Sequence, residues 1–437
     1  MKIYVKTLGC EKNTVDSENA LALLAQTGAE ETQDPKKADV LMVNTCGFIH
    51  DAKQQSIETI FDLIRIKKKK QKLIVTGCLS QRYAKELAAE MPEVDAFLGV
   101  NDYKKLPEIV REMTAERIAA SPAPKEYEEL PRRFAGGVSA PIKIAEGCNN
   151  ICTYCAIPFI RGLYRSRKPE EILAEAKDLA EQGVKELIII AQDVTGYGRD
   201  FGRDDLLPKL LRDLCAIEGL RWIRLMYCYE DEITPELIRV IREEPKICHY
   251  LDIPIQHSSD RILKAMNRRS TEQSIRSTIQ ELRKQIPDIV IRTTLITGFP
   301  GETKDDFKAL ADFVVEMKFD RLGVFPYSRE EGTAAARMKP QIRSDVKQRR
   351  ADRIMALQQK ISLENNQKYI GKTMEVLVEE VFEDGSYSGR TVYDAPEIDD
   401  GVLFIGPAGL QPGTFVSVTI TDAFDYDLSG VCYEPAK

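Results

Sequence analysis

The sequence predicts an α/β protein of three successive units: an open parallel sheet clad in helices, a second parallel sheet of six strand–helix units, and a small antiparallel β-barrel at the end. Three observations carry this. Strand-like apolar runs alternate with helical stretches over residues 1–120 and again from 141 to about 335, the pattern of parallel sheets with helices on their faces. From 371 the apolar period falls to two in TMEVLVEEVF and GTFVSVTIT, with turn-rich gaps between. At 437 residues the chain is also too long for one typical domain.

In the first unit, KIYVKTLG opens as a strand and residues 15–25 have helical spacing. VLMVNT (40–45) is a second strand before a helix near 52–66, KLIVTG (72–77) a third before a helix over 82–90, and VDAFLG suggests a fourth. The four lysines at 67–70 fall at a helix end, where cations oppose the macrodipole, so a solvated terminus explains them as well as a binding patch does. Residues 121–140, rich in Pro, Gly and charge and without period, form a linker. The second unit, 141–336, has strands PIKIAE, ELIIIAQD, RWIRLMY, YLDIPIQ, VIRTTLITG and RLGVFPY, separated by helices such as PEEILAEAKDLAEQG and DDFKALADFVVEMK. Sites in such folds are built from the loops that follow the strands; here those loops are polar and Gly-bearing, as QDVTGYG, QHSS and TGFPGET. Residues 337–370 read as a basic connecting helix and 371–437 as the terminal barrel.

No run of about 18 apolar residues exists, so no membrane span is expected. MKIYVKTLGC begins as a strand rather than a signal peptide. Both point to a cytoplasmic chain, in which ten cysteines serve metal and redox chemistry more readily than disulfides. Six of them fall into two sets. Cys148, Cys152 and Cys155 share one loop in EGCNNICTYCAIPFIRG, just after strand-like Ile142, Ile144 and Ala145. Three thiolates this close mean metal: structural zinc closes its site with four protein ligands, whereas an iron–sulfur cube held by three leaves one iron open. A zinc knuckle or a chance cluster is the alternative. Cys10, Cys46 and Cys78 each follow one of the first three strands, as LGC, NTCG and TGC. The carboxyl ends of a parallel sheet share one edge, so these thiols become neighbours in space; three buried structural cysteines are the plainer alternative. Cys215, Cys228, Cys248 and Cys432 show no ligand spacing and read as structural.

With Tyr154 directly before its third cysteine, the loop resembles the C-x3-C-x-aromatic-C pattern of the radical S-adenosylmethionine enzymes. The motifs LGCEKNTVDSE, NTCGFI, GCNNICTYC and GFPGET extend the resemblance over essentially the whole chain to the methylthiotransferases of that superfamily. These join a three-cysteine domain, a radical barrel and a TRAM domain. The resemblance implies a partial (βα)6 TIM-like barrel in the centre and an OB-like barrel at the end. It implies two 4Fe-4S clusters. One, on Cys148, Cys152 and Cys155, binds S-adenosylmethionine and splits it to a 5′-deoxyadenosyl radical; the other, on Cys10, Cys46 and Cys78, keeps an iron open to soft sulfur donors. Sulfur then adds to a substrate carbon radical and a second S-adenosylmethionine methylates it. Candidate cofactor contacts are Tyr154, Gln192 and Asp193 at the second barrel strand, Gln256 at the fourth, and Thr294 and Gly298 at the fifth. His257, one of only three histidines, is the candidate catalytic residue beyond the cluster ligands, with a hydrogen-bonded structural histidine as the alternative; Glu302 reads as a cap for the helix that begins near Lys304. An electron donor of flavodoxin or ferredoxin type and a sulfur source are implied partners.

Two branches of this family share the chemistry and differ in substrate, one modifying a tRNA adenosine and the other an aspartate β-carbon of small-subunit ribosomal protein S-twelve. Residues 371–437 carry three basic against thirteen acidic side chains, a net of −10, which leaves +3 for the rest of a chain totalling −7. An RNA-binding surface needs Lys and Arg against phosphate, so this unit repels RNA and suits a basic protein, although acidity also simply aids solubility. YDAPEIDDGVLF (393–404) resembles the ribosomal-protein branch in particular. Tyr393, Asp394, Glu397, Asp399 and Asp400 are therefore candidates for a protein-docking face. A reading of another class, a non-catalytic iron–sulfur carrier or RNA-binding scaffold, requires complete protein ligation of the clusters and no cofactor cleavage.

Overall fold

The computed structural model describes residues 1–112 and 117–433; the last four residues of the terminal unit, 434–437, lie outside them. The first unit comprises β1 (Lys2–Thr7), α1 (Glu11–Ala25), β2 (Glu30–Glu31), β3 (Val40–Thr45), α2 (His50–Ile66), β4 (Lys72–Gly77), α3 (Cys78–Glu90), β5 (Ala96–Leu98), α4 (Leu106–Glu112) and β6 (Ile118–Ala119). Its strands form one parallel six-stranded sheet in the order β2-β1-β3-β4-β5-β6. The central strands β3 and β4 are buried on both faces, as continuous apolar runs in parallel sheets are. The flanking strands β2 and β6, two residues each, are too short for a periodicity to reveal. Helices α1 and α3 begin earlier than their apolar spacing suggests, directly at the cysteines.

The second unit opens with β7 (Ser139–Lys143), followed by a short hairpin of β8 (Ala145–Glu146) and β9 (Arg165–Ser166) that fastens both ends of the three-cysteine loop and its helix α5 (Ile157–Arg161). Then come α6 (Pro169–Glu181), β10 (Glu186–Ile190), α7 (Leu206–Cys215), β11 (Trp222–Leu225), α8 (Pro235–Glu243), β12 (Ile247–Asp252), α9 (Asp260–Ala265), α10 (Glu272–Gln285), β13 (Val290–Thr297), α11 (Lys304–Met317) and β14 (Arg321–Pro326). Six parallel strands in the order β14-β13-β12-β11-β10-β7 make the partial barrel, open between its first and last strands. One apolar core lies between this sheet and its helices. The connecting helix is α12 (Ser344–Asn366), which packs along β14 and α11.

The terminal unit closes into a barrel of β15 (Thr373–Val381), β16 (Ser386–Thr391), β17 (Val402–Ile405), β18 (Phe415–Ala423) and β19 (Leu428–Val431). Its pairings are antiparallel except for β17 with β19, which run parallel. This barrel and α1 fill the concave face of the partial barrel. Ile188, Ile190, Trp222, Met226, Tyr250 and Val290 there share one apolar cluster with Val15 from α1 and Leu377, Ala395 and Phe415 from the terminal barrel. A charged seam runs beside it: Glu186 of β10, fully buried, accepts from Arg224 (2.9 Å) and from Arg390 of the terminal barrel (2.7 Å).

That seam corrects the docking face expected from the sequence. Asp394 is buried and paired with Arg321 at 2.7 Å, and Asp399 accepts from the Tyr250 hydroxyl at 2.6 Å and lies 3.4 Å from Arg292. Tyr393 donates its hydroxyl to Asp288 and stacks on Tyr369. These side chains hold the barrel to the chain's own arginines, because an acidic segment beside a basic sheet edge is neutralised internally first. Glu397 and Asp400 remain exposed, as do Glu380, Glu383 and Asp384 on the β15–β16 hairpin. No helix among the described residues is long and apolar enough to cross a membrane.

Candidate active site

Three strand ends of the first sheet each deliver a cysteine to one edge. Cys10 is the N-cap of α1, Cys46 follows β3, and Cys78 is the first residue of α3. Gly9 (φ +95°) and Gly77 (φ +96°) precede two of them; a Cβ at residue 9 would lie 3.0 Å from that of Cys46, and one at residue 77 would lie 2.4 Å from the Thr45 carbonyl. Only glycine lets the backbone turn this tightly. Asn13 ties the edge together by donating to the carbonyls of Leu8 (2.7 Å) and Thr45 (3.2 Å). Helix N-termini at Cys10 and Cys78 favour thiolate, whereas burial pushes the Cys78 thiol up to about 11, with Arg161 opposing.

The second trio sits in the loop fastened by β8 and β9. Cys148 and Cys152 are buried and Cys155 half-buried. Two N–H groups point at sulfur, Asn150 Nδ2 at Cys148 (3.5 Å) and the Ile157 amide at Cys155 (3.4 Å), and the Tyr229 hydroxyl lies 3.6 Å from Cys152. Burial raises the Cys148 thiol to about 11; a bound cation reverses that preference. Ile151 between the first two cysteines has φ +49°, a conformation that strains a β-branched side chain. Asn267 stabilises it by donating to the carbonyls of Asn150 (3.3 Å) and Ile151 (3.1 Å). Among the described residues no three metal-ligating side chains are grouped to hold a single ion. Each set offers three thiols with an N–H group aimed at sulfur, one short of the four protein ligands that close a structural zinc site, and so fits a cluster held by cysteine thiolates.

Arg161, at the end of α5, ties the segment that carries the second trio to Cys78 of the first. Its buried guanidinium donates to Cys78 Sγ (3.2 Å), Asn13 Oδ1 (2.9 Å) and Glu146 (3.1 Å), and lies 2.8 Å from Asp16. Lys143 completes the network, reaching Asp16 (2.6 Å) and Glu146 (3.3 Å). Burial alone raises a carboxyl, yet Arg161 and Lys143 hold Glu146 down at about 2. Cys78 packs directly with Ala156 and Ile160, so the domains meet where their cysteines do. Sequence reasoning missed Arg161, Glu146, Asn13 and Asp16; the available signal was their place inside the two cysteine motifs.

The expected cofactor contacts divide. Gln192 donates to Glu146 (2.6 Å) and leaves its Oε1 buried without a partner, an acceptor open to a ligand. Asp193 accepts from Asn150 (2.7 Å), Thr195 (2.9 Å) and the Gly196 amide (3.0 Å), so it fixes the cluster loop through Asn150; burial, aided by Glu232, raises it to about 7. Gln256, in the left-handed region at φ +68°, donates its amide to the Thr294 carbonyl at 2.9 Å, which places both at one mouth of the barrel. Tyr154 packs beside Phe299, Tyr327 and Met266. Gly298 makes room for Lys347 of α12, so its contacts are with the connecting helix. Lys12 and Tyr227, absent from the sequence reading, meet beside the first trio: the ammonium lies 3.4 Å from the ring centroid. Burial lowers the Lys12 ammonium, with Cys10 and Glu11 opposing.

His257 lies inside the barrel, with its Nε2 unbonded and 3.8 Å from Glu302. It is fully buried, its Nδ1 accepts from the amides of Ser258 (3.0 Å) and Ser259 (2.9 Å), and burial drives its pKa down to about 3. Glu302 does not cap α11, which Thr303 and Asp306 cap reciprocally; it accepts from the Gly298 amide (2.6 Å) and Arg350 (2.6 Å). His257→Ala is expected to cost about 1–3 kcal/mol by orphaning the two amides. His257→Asn, which returns an acceptor, is expected to keep S-adenosylmethionine cleavage within about threefold of the parent rate. A folded His257→Asn protein slowed about 100-fold would instead assign it a catalytic role.

Comparison with known proteins accords with this architecture. Residues 2–99 match the uncharacterized protein family UPF0004, residues 142–314 the Radical SAM superfamily, and residues 370–432 the TRAM domain. A ribosomal protein uS12 methylthiotransferase RimO from Clostridioides difficile strain 630 is 51% identical over 443 residues, covering 100% of both chains. The protein of that name from Lachnoclostridium phytofermentans is 50% identical over 98% of this chain and 99% of its own. Among solved structures, the radical S-adenosylmethionine methyltransferase TsrM from Kitasatospora setae, with cobalamin and a [4Fe-4S] cluster bound, superposes with a TM-score of 0.58 at 13% identity, over 76% of this chain and 73% of that one, a likeness of fold alone. Identity near one half, sustained from end to end through the thiol-bearing unit, the partial barrel and the terminal barrel, means that the chain belongs to the RimO family of ribosomal protein uS12 methylthiotransferases.

Proposed function

We propose that the chain inserts sulfur into an unactivated C–H bond, at the β-carbon of an aspartate of ribosomal protein uS12 (S-twelve of the small subunit), and methylates it at the expense of two S-adenosylmethionine molecules. The single observation that supports this best is the meeting of the two cysteine-bearing segments, where Cys78 packs against Ala156 beside Cys155 and accepts from Arg161, in a chain half identical to uS12 methylthiotransferases over its whole length. When bound, a 4Fe-4S cluster on Cys148, Cys152 and Cys155 supplies the electron that cleaves S-adenosylmethionine, and one on Cys10, Cys46 and Cys78 supplies the sulfur. The chain's own residues organise that chemistry. Asn150 and the Ile157 amide stabilise anionic sulfur, Gln192 Oε1 offers an acceptor to the cofactor, and Arg161 with Lys143 neutralises Asp16 and Glu146 at the boundary.

An electron donor of flavodoxin or ferredoxin type and an external sulfur source complete the cycle, in the cytoplasm. Docking of a basic ribosomal protein suits the acids left exposed on the terminal barrel, and the same acids disfavour RNA. The test is mass analysis of uS12 and of tRNA from a strain lacking the gene. The expected result is loss of a methylthio group from uS12 with tRNA unchanged; loss from tRNA alone overturns the substrate.

A further inference from the structure

Among the described residues Lys12, like Arg165, is a buried cation of the site that forms no ion pair, although the charges of Glu11 beside it and of Glu146 act on it. It lies in the first turn of α1, two residues after Cys10, and is 7% exposed. Arg161 and Lys143 nearby each hold Asp16 and Glu146, but among the described residues no carboxylate forms an ion pair with Lys12; its ammonium rests on the face of Tyr227, 3.4 Å from the ring centroid. Tyr227 is itself held in an unusual place. At φ +58° it follows β11 in the left-handed region, fixed by its amide to Asp252 (3.3 Å) and by its carbonyl, which accepts from the Val194 amide (3.1 Å). Strain of this kind persists where surroundings over-determine it, and it clusters at functional sites. The pair adjoins the first trio through Cys10, whose charge acts on both residues, and two residues after Tyr227 the Tyr229 hydroxyl lies 3.6 Å from Cys152.

A cation on a ring face exchanges that contact favourably for a charge-assisted hydrogen bond. A carboxylate that enters a buried site needs such a partner, because desolvating it unpaired is costly. We propose that Lys12 receives the side-chain carboxylate of the substrate aspartate, and so selects aspartate and sets its β-carbon, one bond away, between the two trios. The inference rests on the aspartate reading given above and adds the residue that recognises it.

The test is anaerobic binding of two peptides from the modified uS12 loop, one with aspartate and one with asparagine at the target, to the reconstituted protein, read by fluorescence anisotropy. The parent is expected to bind the aspartate peptide at least about tenfold more tightly. Lys12→Met is expected to bind both peptides alike, with iron content and peptide-free S-adenosylmethionine cleavage retained, and Lys12→Arg to recover part of the preference. Undiminished discrimination by Lys12→Met overturns the proposal, as does a parent indifferent to the two peptides. Loss of iron from Lys12→Met also overturns it, by assigning the lysine to cluster retention. Failure of the parent to modify uS12 at all is separately visible and sinks the underlying aspartate reading instead.

Discussion

Arg161→Met is expected to do more damage than any other single change outside the six cysteines. The guanidinium is 2% exposed and serves four partners from three stretches of chain: Cys78, Asn13, Asp16 and Glu146. Its removal leaves Lys143 alone to neutralise two buried carboxylates, a defect that costs about 3–5 kcal/mol in comparable buried pairs. The thermal midpoint should fall on the order of 10 °C, and iron content should fall with it, because Asn13 loses the partner that positions it across the ends of β1 and β3. The pH dependence has a definite sign. Glu146 sits near 2 when folded, below its ordinary value of 4.5, so the network stabilises the protein above pH 4.5 and fades as pH falls toward 2. Arg161→Met should show a flatter acid limb in that window. Arg161→Lys keeps the charge but not the fork that reaches four partners at once, so it should fall between the two. An Arg161→Met protein with full iron and a midpoint within about 2 °C of the parent would remove the residue from the organising role given to it here.

Much of the fold was legible because its signals are local. Strand–helix alternation reports parallel sheets wherever the strands are apolar enough to be buried on both faces, as β3, β4 and β10 are. Cysteines placed after successive parallel strands must share an edge, whatever the helices between them do. What escaped the sequence depended on contacts between units. Helical spacing shows only from residue 15, whereas α1 begins at Glu11; Lys12, Asn13, Asp16, Ser17, Glu18 and Asn19 break any apolar stripe, and all six are buried because the helix is wedged against the partial barrel. The acids of YDAPEIDD read as a surface for a partner for the same reason. Composition gives their charge but not the positions of Arg292 and Arg321, which lie more than 70 residues earlier and take Asp399 and Asp394 inward. Gln256 and Tyr227 gave no sign of their left-handed backbone, since neither is a residue type that prefers it.

Glu186→Gln should release the terminal barrel. The carboxylate is fully buried and accepts from Arg224 (2.9 Å), Arg390 (2.7 Å) and the Ser139 hydroxyl (2.6 Å), so one charge neutralises guanidiniums from two units. Burial opposes its ionisation, but the two arginines hold it down at about 2. Its contribution is therefore complete above 4.5, the ordinary glutamate value, and is lost as pH falls through about 2. Glutamine keeps the shape and removes the charge, leaving Arg224 unneutralised and Arg390 with only the half-exposed Glu379, at a cost of about 3–5 kcal/mol. The expected readout is faster proteolysis of the connection between α12 and β15 and faster amide exchange along the seam of β10, β11 and β16, with the core of the partial barrel still protected. A triple change, Glu186→Leu with Arg224→Met and Arg390→Leu, separates a lost neutralisation from a lost contact, because replacing a whole buried ion cluster with apolar side chains of similar size is often neutral. If docking returns in the triple variant, charge balance is what the seam requires. If Glu186→Gln leaves protection at the seam unchanged, the apolar contact of Trp222 with Phe415, ring centroids 4.9 Å apart, holds the barrel without help from the ion cluster.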